Sequence, residues 1–200
     1  IFKDKDRGTY IDVGCQHPIK NNNTYLLFKK GWKGLNIDLD EMNIELFNFN
    51  RPNDYNIKAA ISDKIEEVDL FFYHQKSPIN TLDKKISDRQ KAKLNKVIKI
   101  KTDTLTNILK KTSITDIDIL SIDVEGFEIK VLKGLDFELY TPKLIIVEYL
   151  DLNAKKWEIP FNDFKNVENS EIFRFLSSKN YKLVNWVNGD LIFVKIDQIF

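Results

Sequence analysis

Two acid-bearing turns in this sequence could do chemistry. Ile119-Leu120-Ser121-Ile122 is an apolar run that stops at Asp123, and Val124-Glu125-Gly126-Phe127-Glu128 follows at once. Tyr10-Ile11-Asp12-Val13-Gly14 has the same build of apolar run, acid and glycine. Such a pattern sets a carboxylate at the carboxyl edge of a buried strand, where open α/β sheets bind ligands. The glycine lets the backbone turn sharply and come close to a ligand. Asp12 could accept hydrogen bonds from a cationic or hydroxyl-bearing ligand. Asp123 and Glu125 are candidate bases for a reacting hydroxyl. Glu125 and Glu128 could instead only orient the loop or favour the helix N-terminus electrostatically. Asp123, Glu125, Glu128 and Glu148 could also supply oxygens to Mg²⁺ or Ca²⁺, but nothing in the pattern fixes a ligand set and no metal ligand is assigned.

Asp38 adds a third acid, at the end of the next strand and about 26 residues after Asp12. Nucleotide-binding α/β folds hold ribose hydroxyls with an acid near that spacing, because a carboxylate accepts two hydrogen bonds from a vicinal diol. Asp40 can cap the following helix, which leaves Asp38 for a ligand. The first turn reads Gly14-Cys15-Gln16-His17-Pro18. It lacks the G-x-G-x-x-G run that seats a pyrophosphate on a helix N-terminus. S-adenosylmethionine carries no pyrophosphate and fits this turn better than a dinucleotide. His17 is expected to shape the turn, and Cys15 to pack as a small apolar residue. His74 titrates near neutrality and is a further candidate base, or else an ordinary histidine of a surface loop.

These residues need strands and helices to position them, and the apolar periodicity supplies the elements. Strands are expected over Thr9–Val13, Gly34–Leu39, Tyr55–Ile61, Val68–Tyr73, Lys96–Lys101, Asp116–Ile122 and Lys143–Tyr149. Helices are expected over Tyr25–Lys30, Met42–Phe49, Asp103–Lys111 (capped by Thr102 or Asp103), Phe127–Lys133 and Ser170–Lys179. Lys182–Val187 and Asp190–Val194 flank Asn188-Gly189, the strongest short hairpin signal. Leu150–Glu168 has no clear period; its Trp157, Phe161 and Phe164 could form an aromatic lid or pack the loop onto the sheet. Alternating strands and helices predict an α/β fold, a parallel sheet with right-handed crossovers and helices on both faces. The terminal hairpin adds antiparallel pairing, as in a Rossmann-like class I methyltransferase with seven mostly parallel strands.

The 200 residues suffice for one domain, 1–200, with its own core. A net charge of +1 argues against a general nucleic-acid binder. Between Lys84 and Lys101, eight basic residues face only Asp83 and Asp88; this stretch is either a solvated face or a rim that attracts an anionic substrate or surface. The single cysteine excludes an internal disulfide, and neither a signal peptide nor a membrane span is evident, so a cytoplasmic setting is expected. The chain opens on Ile1, as a trimmed chain or a piece of a longer one would.

Taken together, the residues resemble the FkbM-type methyltransferase family from about Tyr10 to Tyr149. The resemblance is carried by Tyr10-Ile11-Asp12-Val13-Gly14, Gly31-Trp32-Lys33-Gly34-Leu35-Asn36-Ile37-Asp38, Ala60-Ile61-Ser62-Asp63, Asn80-Thr81, Asp123-Val124-Glu125-Gly126-Phe127-Glu128, Val131-Leu132-Lys133-Gly134 and Leu144-Ile145-Ile146-Val147-Glu148. It implies an S-adenosylmethionine-dependent enzyme that methylates hydroxyl oxygens, often on sugars or natural products. Carried over, Asp12 and Gly14 would line the methionine part of the cofactor and Asp38 would hold its ribose. Ile61, Ser62 and Asp63 would sit near the adenine, Cys15 and Leu39 would also belong to the cofactor site, and Asp123, at the cofactor too, would face the reacting centre. The family commonly has glycine at the position of Pro18 and alanine at that of Cys15. Some relatives look similar to this chain, with His-Pro followed by Asn-Thr; on that match Asn23 and Thr24 would help hold the cofactor's carboxylate. The departure keeps open a methyltransferase fold that binds without turnover, and a nicotinamide-dependent oxidoreductase is the more distant alternative.

Overall fold

A computed structural model describes residues 1–3, 5–149, 164–187 and 189–199. In chain order its elements begin with β1 (Thr9–Val13), α1 (Tyr25–Lys29), β2 (Lys33–Asp38), α2 (Glu41–Asn50), β3 (Tyr55–Lys58) and β4 (Ala60–Ile61). They continue with β5 (Glu67–Phe72), α3 (Lys84–Arg89), β6 (Lys96–Asp103), α4 (Leu105–Leu109), β7 (Ile119–Ile122) and α5 (Glu128–Lys133). Last come β8 (Leu144–Glu148), α6 (Phe164–Glu168), α7 (Glu171–Ser178), β9 (Tyr181–Val187) and β10 (Asp190–Lys195).

Seven strands form one sheet in the order β3-β2-β1-β7-β8-β10-β9. β3, β2, β1, β7 and β8 run parallel, and β10 pairs antiparallel with both β8 and β9. This is the expected Rossmann-like arrangement with a terminal antiparallel hairpin. The strand order reverses between β1 and β7, so the crevice beyond their carboxyl ends is the topological switch point. Asp12, Gly14, Asp38 and Asp123 all lie at or just beyond these strand ends.

Alternation along the strands divides the core. Ile11, Val13, Leu35, Ile37, Leu120, Ile122, Ile145 and Val147 pack on one face with Leu105, Ile108, Val131, Leu132, Ile172 and Leu176 of the helices. On the other face Tyr10, Trp32 and Ile119 pack with Leu27 and Phe28 of α1. Burying most of an aliphatic or aromatic side chain contributes about 1.5–3 kcal/mol, so these two layers fix the strand ends as a rigid edge.

The structure departs from the sequence reading in four elements. Tyr55–Ile61 is not one strand: β3 joins the large sheet, whereas β4 pairs with β6 in a separate sheet of order β4-β6-β5. The polypeptide changes partner at Ala59, whose N–H donates to the Asp38 carbonyl at 3.0 Å. α4 is capped by Thr104, whose hydroxyl accepts from Asn107 N, and Thr102 and Asp103 belong to β6. α3 lies inside the lysine-rich stretch, where charge masked a short amphipathic turn that buries Ile86. α6 occupies the end of Leu150–Glu168. Trp157 and Phe161 of the expected lid, and Asn188 of the Asn-Gly turn, lie outside the described residues; Phe164 starts α6 and meets the Phe173 ring edge-on at 6.4 Å. Among the described residues no helix is long and apolar enough to cross a membrane.

Candidate functional site

The turn after β1 is built on backbone contacts. Gly14 N and Cys15 N both donate to the Ile37 carbonyl, at 2.9 and 3.1 Å, and Gln16 N donates to Asp38 Oδ2 at 2.9 Å. Gly14 has φ +81°, and a Cβ there would stand 1.7 Å from the Asp123 carbonyl oxygen. Only glycine lets the ends of β1 and β7 come together this closely. His17 shapes the turn as expected: its Nδ1 accepts from Ile19 N and Lys20 N, both at 3.1 Å. Cys15 packs with Ile44 and Phe47, and burial with the nearby Asp12 and Asp38 charges pushes its thiol well up, so it is no nucleophile near neutral pH.

Asp38 is buried, and its second oxygen accepts from Asp40 N at 2.7 Å. Burial raises its carboxyl, against the Asp40 and Gln16 N–H groups that favour the charged form. Asp40 caps α2 through Met42 N at 2.9 Å, as the sequence suggested, and its other oxygen accepts from Lys76 N at 2.6 Å. Asp38 is therefore pre-oriented by two backbone donors and the Asn43 side chain, and the remaining acceptor capacity of its carboxylate is what a ligand could use.

The acid turn after β7 is stiffer than its sequence implies. Glu128 begins α5 and is buried; its Oε1 accepts from Val124 N at 3.1 Å and Gly126 N at 3.0 Å. Glu128 thus holds the loop. Glu125 takes φ +55°, a left-handed conformation uncommon outside glycine, and its carbonyl accepts the Thr81 hydroxyl at 2.6 Å. Thr81 comes from a loop clasped by Asn80, which accepts from Tyr73 N at 2.8 Å and donates to the His74 carbonyl at 2.9 Å.

These segments enclose a cleft of about 770 Å³, part of it open to solvent. Gly14, Gln16 and Asp38–Asp40 line one side, Ala59–Ile61 with Ser77, Pro78, Asn80 and Leu82 another, and Asp123–Glu125 with Phe127 the third. Gly14, Asp38, Leu39, Ile61, Asp123 and Glu125 of the sequence-derived site are therefore brought to one cavity. The others stand off its lining. Ser62 is buried and donates to Asp63 Oδ1 at 3.0 Å. Asn23 Nδ2 donates to Ser121 Oγ at 3.2 Å. Asp12 and Thr24 are buried against one another, the Thr24 hydroxyl donating to Asp12 Oδ2 at 2.8 Å. His74 is exposed, with Nδ1 2.8 Å from the Gln75 carbonyl.

Electrostatics set the carboxyls at the β7 end apart. Burial, then the Asp123 and Glu128 charges, push Glu125 up to about 7. Asp123 keeps a side toward water, yet burial with the Asp190 and Asp12 charges raises it. Glu148 ends β8 beside Asp190 of β10; burial and the surrounding carboxylates raise it as well. Asp123, Glu125 and Glu148 bring one oxygen each within 4.8 Å of one another. Like charges that close cannot all ionise near neutral pH, so the cluster stores protons and can accept one over the neutral range. The positive charge of the lysine-rich stretch is partly met locally: Lys99 of β6 pairs with Asp69 of β5 at 2.7 Å, and Lys84 with Asp88 within α3 at 2.6 Å.

Two residues escaped the sequence reading. Asp190 reaches the cluster only because β10 inserts between β8 and β9, and nothing local marks it. Arg51 follows α2 and is wholly buried behind the first turn, with Nη2 donating to the Pro18 carbonyl at 2.5 Å and Nη1 to Thr24 Oγ1 at 2.8 Å. In sequence it reads only as the helix end before Pro52.

No curated protein and no solved structure matches the chain. A family model does: the methyltransferase FkbM domain matches residues 11–183, from β1 into β9. With the switch-point cleft and the glycine-acid turns falling inside that span, the chain belongs to the FkbM methyltransferase family.

Proposed function

We propose that the protein transfers a methyl group from S-adenosylmethionine to a hydroxyl oxygen of a sugar or glycan-type acceptor. One observation carries the reading: the cleft lining holds four carboxylates, Asp38, Asp40, Asp123 and Glu125, and no basic side chain among the described residues. A lining of that sign fits a ligand bearing a sulfonium and an ammonium group. It disfavours a pyrophosphate, whose usual cradle of glycine N–H groups and positive charge is missing from the cleft among the described residues. The chemistry of the donors thus supports S-adenosylmethionine over a nicotinamide dinucleotide.

Asp38 would accept the ribose hydroxyls, Ile37, Ala60, Ile61 and Leu82 would offer apolar contact to the adenine, and the Gly14 backbone would follow the methionine part. Bound S-adenosylmethionine supplies a methyl group already activated by its positive sulfur. The chain's own task is then alignment and proton removal. The acceptor oxygen gives up its proton as it bonds the methyl carbon, and Asp123 and Glu125 are the cleft carboxylates able to take it. Glu125, held up to about 7, is half-ionised near neutral pH and is matched to that task.

Calorimetric titration with S-adenosylhomocysteine tests the cofactor, and transfer of labelled methyl from S-adenosylmethionine to a panel of free and glycosidically linked sugars tests the acceptor. Saturable cofactor binding with label on a sugar hydroxyl is the expected result. No binding at millimolar cofactor overturns the enzyme reading, and label on nitrogen overturns the acceptor class.

A further inference from the structure

Behind the first turn lies a buried polar group that the cleft does not use. Arg51 is fully buried, sitting over the rings of Phe47, Phe28 and Tyr10 at 4.9, 5.1 and 5.7 Å. Its guanidinium has donors only, so every polar atom it meets must accept. Nη1 donates to Thr24 Oγ1 at 2.8 Å, and Nη2 to Asn22 Oδ1 at 2.8 Å and to the Pro18 carbonyl at 2.5 Å.

That polarity dictates the next bonds. The Thr24 hydroxyl, with a lone pair taken by Arg51, has Asn22 Oδ1 at 2.9 Å and Asp12 Oδ2 at 2.8 Å as acceptors for its one hydrogen; Asn22 Oδ1 already accepts from Arg51 Nη2 and Thr24 N, which leaves the hydrogen for Asp12. With Asn22 Oδ1 taken, the amide is locked with its NH₂ toward Asp12 Oδ2, also 2.8 Å away, and toward the Cys15 carbonyl at 3.1 Å. Arg51 never touches Asp12, yet both donors on that carboxylate are oriented by it. The same fork ties Pro18, Asn22 and Thr24 together across the turn that leaves β1.

We propose that Arg51 is a positioning residue: through Thr24 and Asn22 it orients the two donors on the Asp12 carboxyl and pins the Cys15–Thr24 turn against the sheet. Burial raises the Asp12 carboxyl above its ordinary value, and the Thr24 and Asn22 hydrogen bonds, then the Arg51 charge at the end of α2, pull against that rise. The Asp123 carboxylate, from beyond β7, is coupled to Asp12 by like charge. Cys15, in the same turn, is held as the neutral thiol. Without the relay, less opposes burial, and the Asp12 carboxyl rises further. The consequence for cofactor affinity rests on the function proposed above; the ionisation of Asp12 does not.

Two variants separate this role from mere stabilisation. Arg51→Lys keeps the charge and loses the planar fork. Thr24→Val keeps the side-chain shape and loses one relay, and it guards against a failure of the arginine variant to fold. Carbon-13 NMR of the aspartate carboxyls in the ligand-free protein, assigned with Asp12→Asn, follows the titration directly. The expected result is that the Asp12 midpoint moves up in each folded variant. S-adenosylhomocysteine affinity at pH 6 should fall at least ~10-fold and recover as pH rises, because the ionised carboxylate returns. An unchanged Asp12 midpoint in Thr24→Val, whatever happens to its melting temperature, overturns the proposal. A shifted midpoint in a protein whose wild type fails to bind S-adenosylhomocysteine upholds it and sinks the cofactor reading instead.

Discussion

Gly14 and Asp123 meet where the two central strands end. Asp123 N donates to the Val13 carbonyl at 2.9 Å, and the place of a Cβ on Gly14 is 1.7 Å from the Asp123 carbonyl oxygen. The two turns are thus one rigid unit. A group held by the first turn is presented at a fixed distance from the acids of the second, which is what alignment of a methyl donor with an acceptor requires.

Gly14→Ala should break that unit. The new methyl clashes with backbone that cannot move aside, and φ +81° is strained for any other residue. We expect a loss of at least ~2 kcal/mol in denaturant unfolding, together with loss of S-adenosylhomocysteine binding. Wild-type stability in this variant would mean that β1 and β7 are not in such contact.

Asp38→Ala should weaken S-adenosylhomocysteine by roughly 10- to 100-fold, since a buried charged acceptor for ribose hydroxyls is lost. Asp38→Asn should fall between the two, keeping one acceptor oxygen. Calorimetry checks both; equal affinity across the three proteins would remove Asp38 from the cofactor site.

Asp123→Asn and Glu125→Gln should keep cofactor affinity within a few-fold. The variant lacking the true base should lose roughly 10²- to 10⁴-fold in transfer rate. The working base must be ionised, so wild-type rate should fall as pH drops below about 7, where Glu125 protonates. A rate independent of pH from 5 to 8 would argue against both carboxylates as the base.

The acid cluster makes a stability prediction. Glu125, Glu128 and Glu148 have folded-state values raised above those of the unfolded chain, by burial first and then by neighbouring carboxylates, Asp123 foremost. The folded protein therefore binds more protons than the unfolded one, and stability is lost as pH rises from about 4.5 through about 7 and beyond. Glu148, pushed up to about 9, holds its proton in the folded protein at pH 8 but loses it on unfolding. Glu148→Gln removes that difference and should raise the melting temperature at pH 8 by roughly 2–4 °C for each kcal/mol relieved, with little change at pH 5. An equal effect at both values would show that the carboxyl's titration is not the cause.

Local sequence determined much of this protein. Strands that end on Asp12, Asp38 and Asp123, with Gly14 and Gly126 next to two of these acids, already placed the ligand edge, because side-chain period and glycine conformation are local properties. The alternation of strands and helices, followed by a terminal hairpin, carried the sheet architecture for the same reason. Tertiary structure decided the rest. Glu148 and Asp190 join Asp123 only through the insertion of β10 beside β8, a long-range pairing that no window of sequence contains. Arg51 reaches Thr24 and Asn22 only because α2 folds back beside β2 and β3, and Asp12 is turned from open ligand to relay partner by the same packing. Even His74 and Glu128, both plain candidates in sequence, part company there: one faces water, and the other is buried as the brace of the acid turn. Residue types set which chemistry is available, but burial and charge proximity select which groups carry it, and both depend on distances set only when the sheet closes.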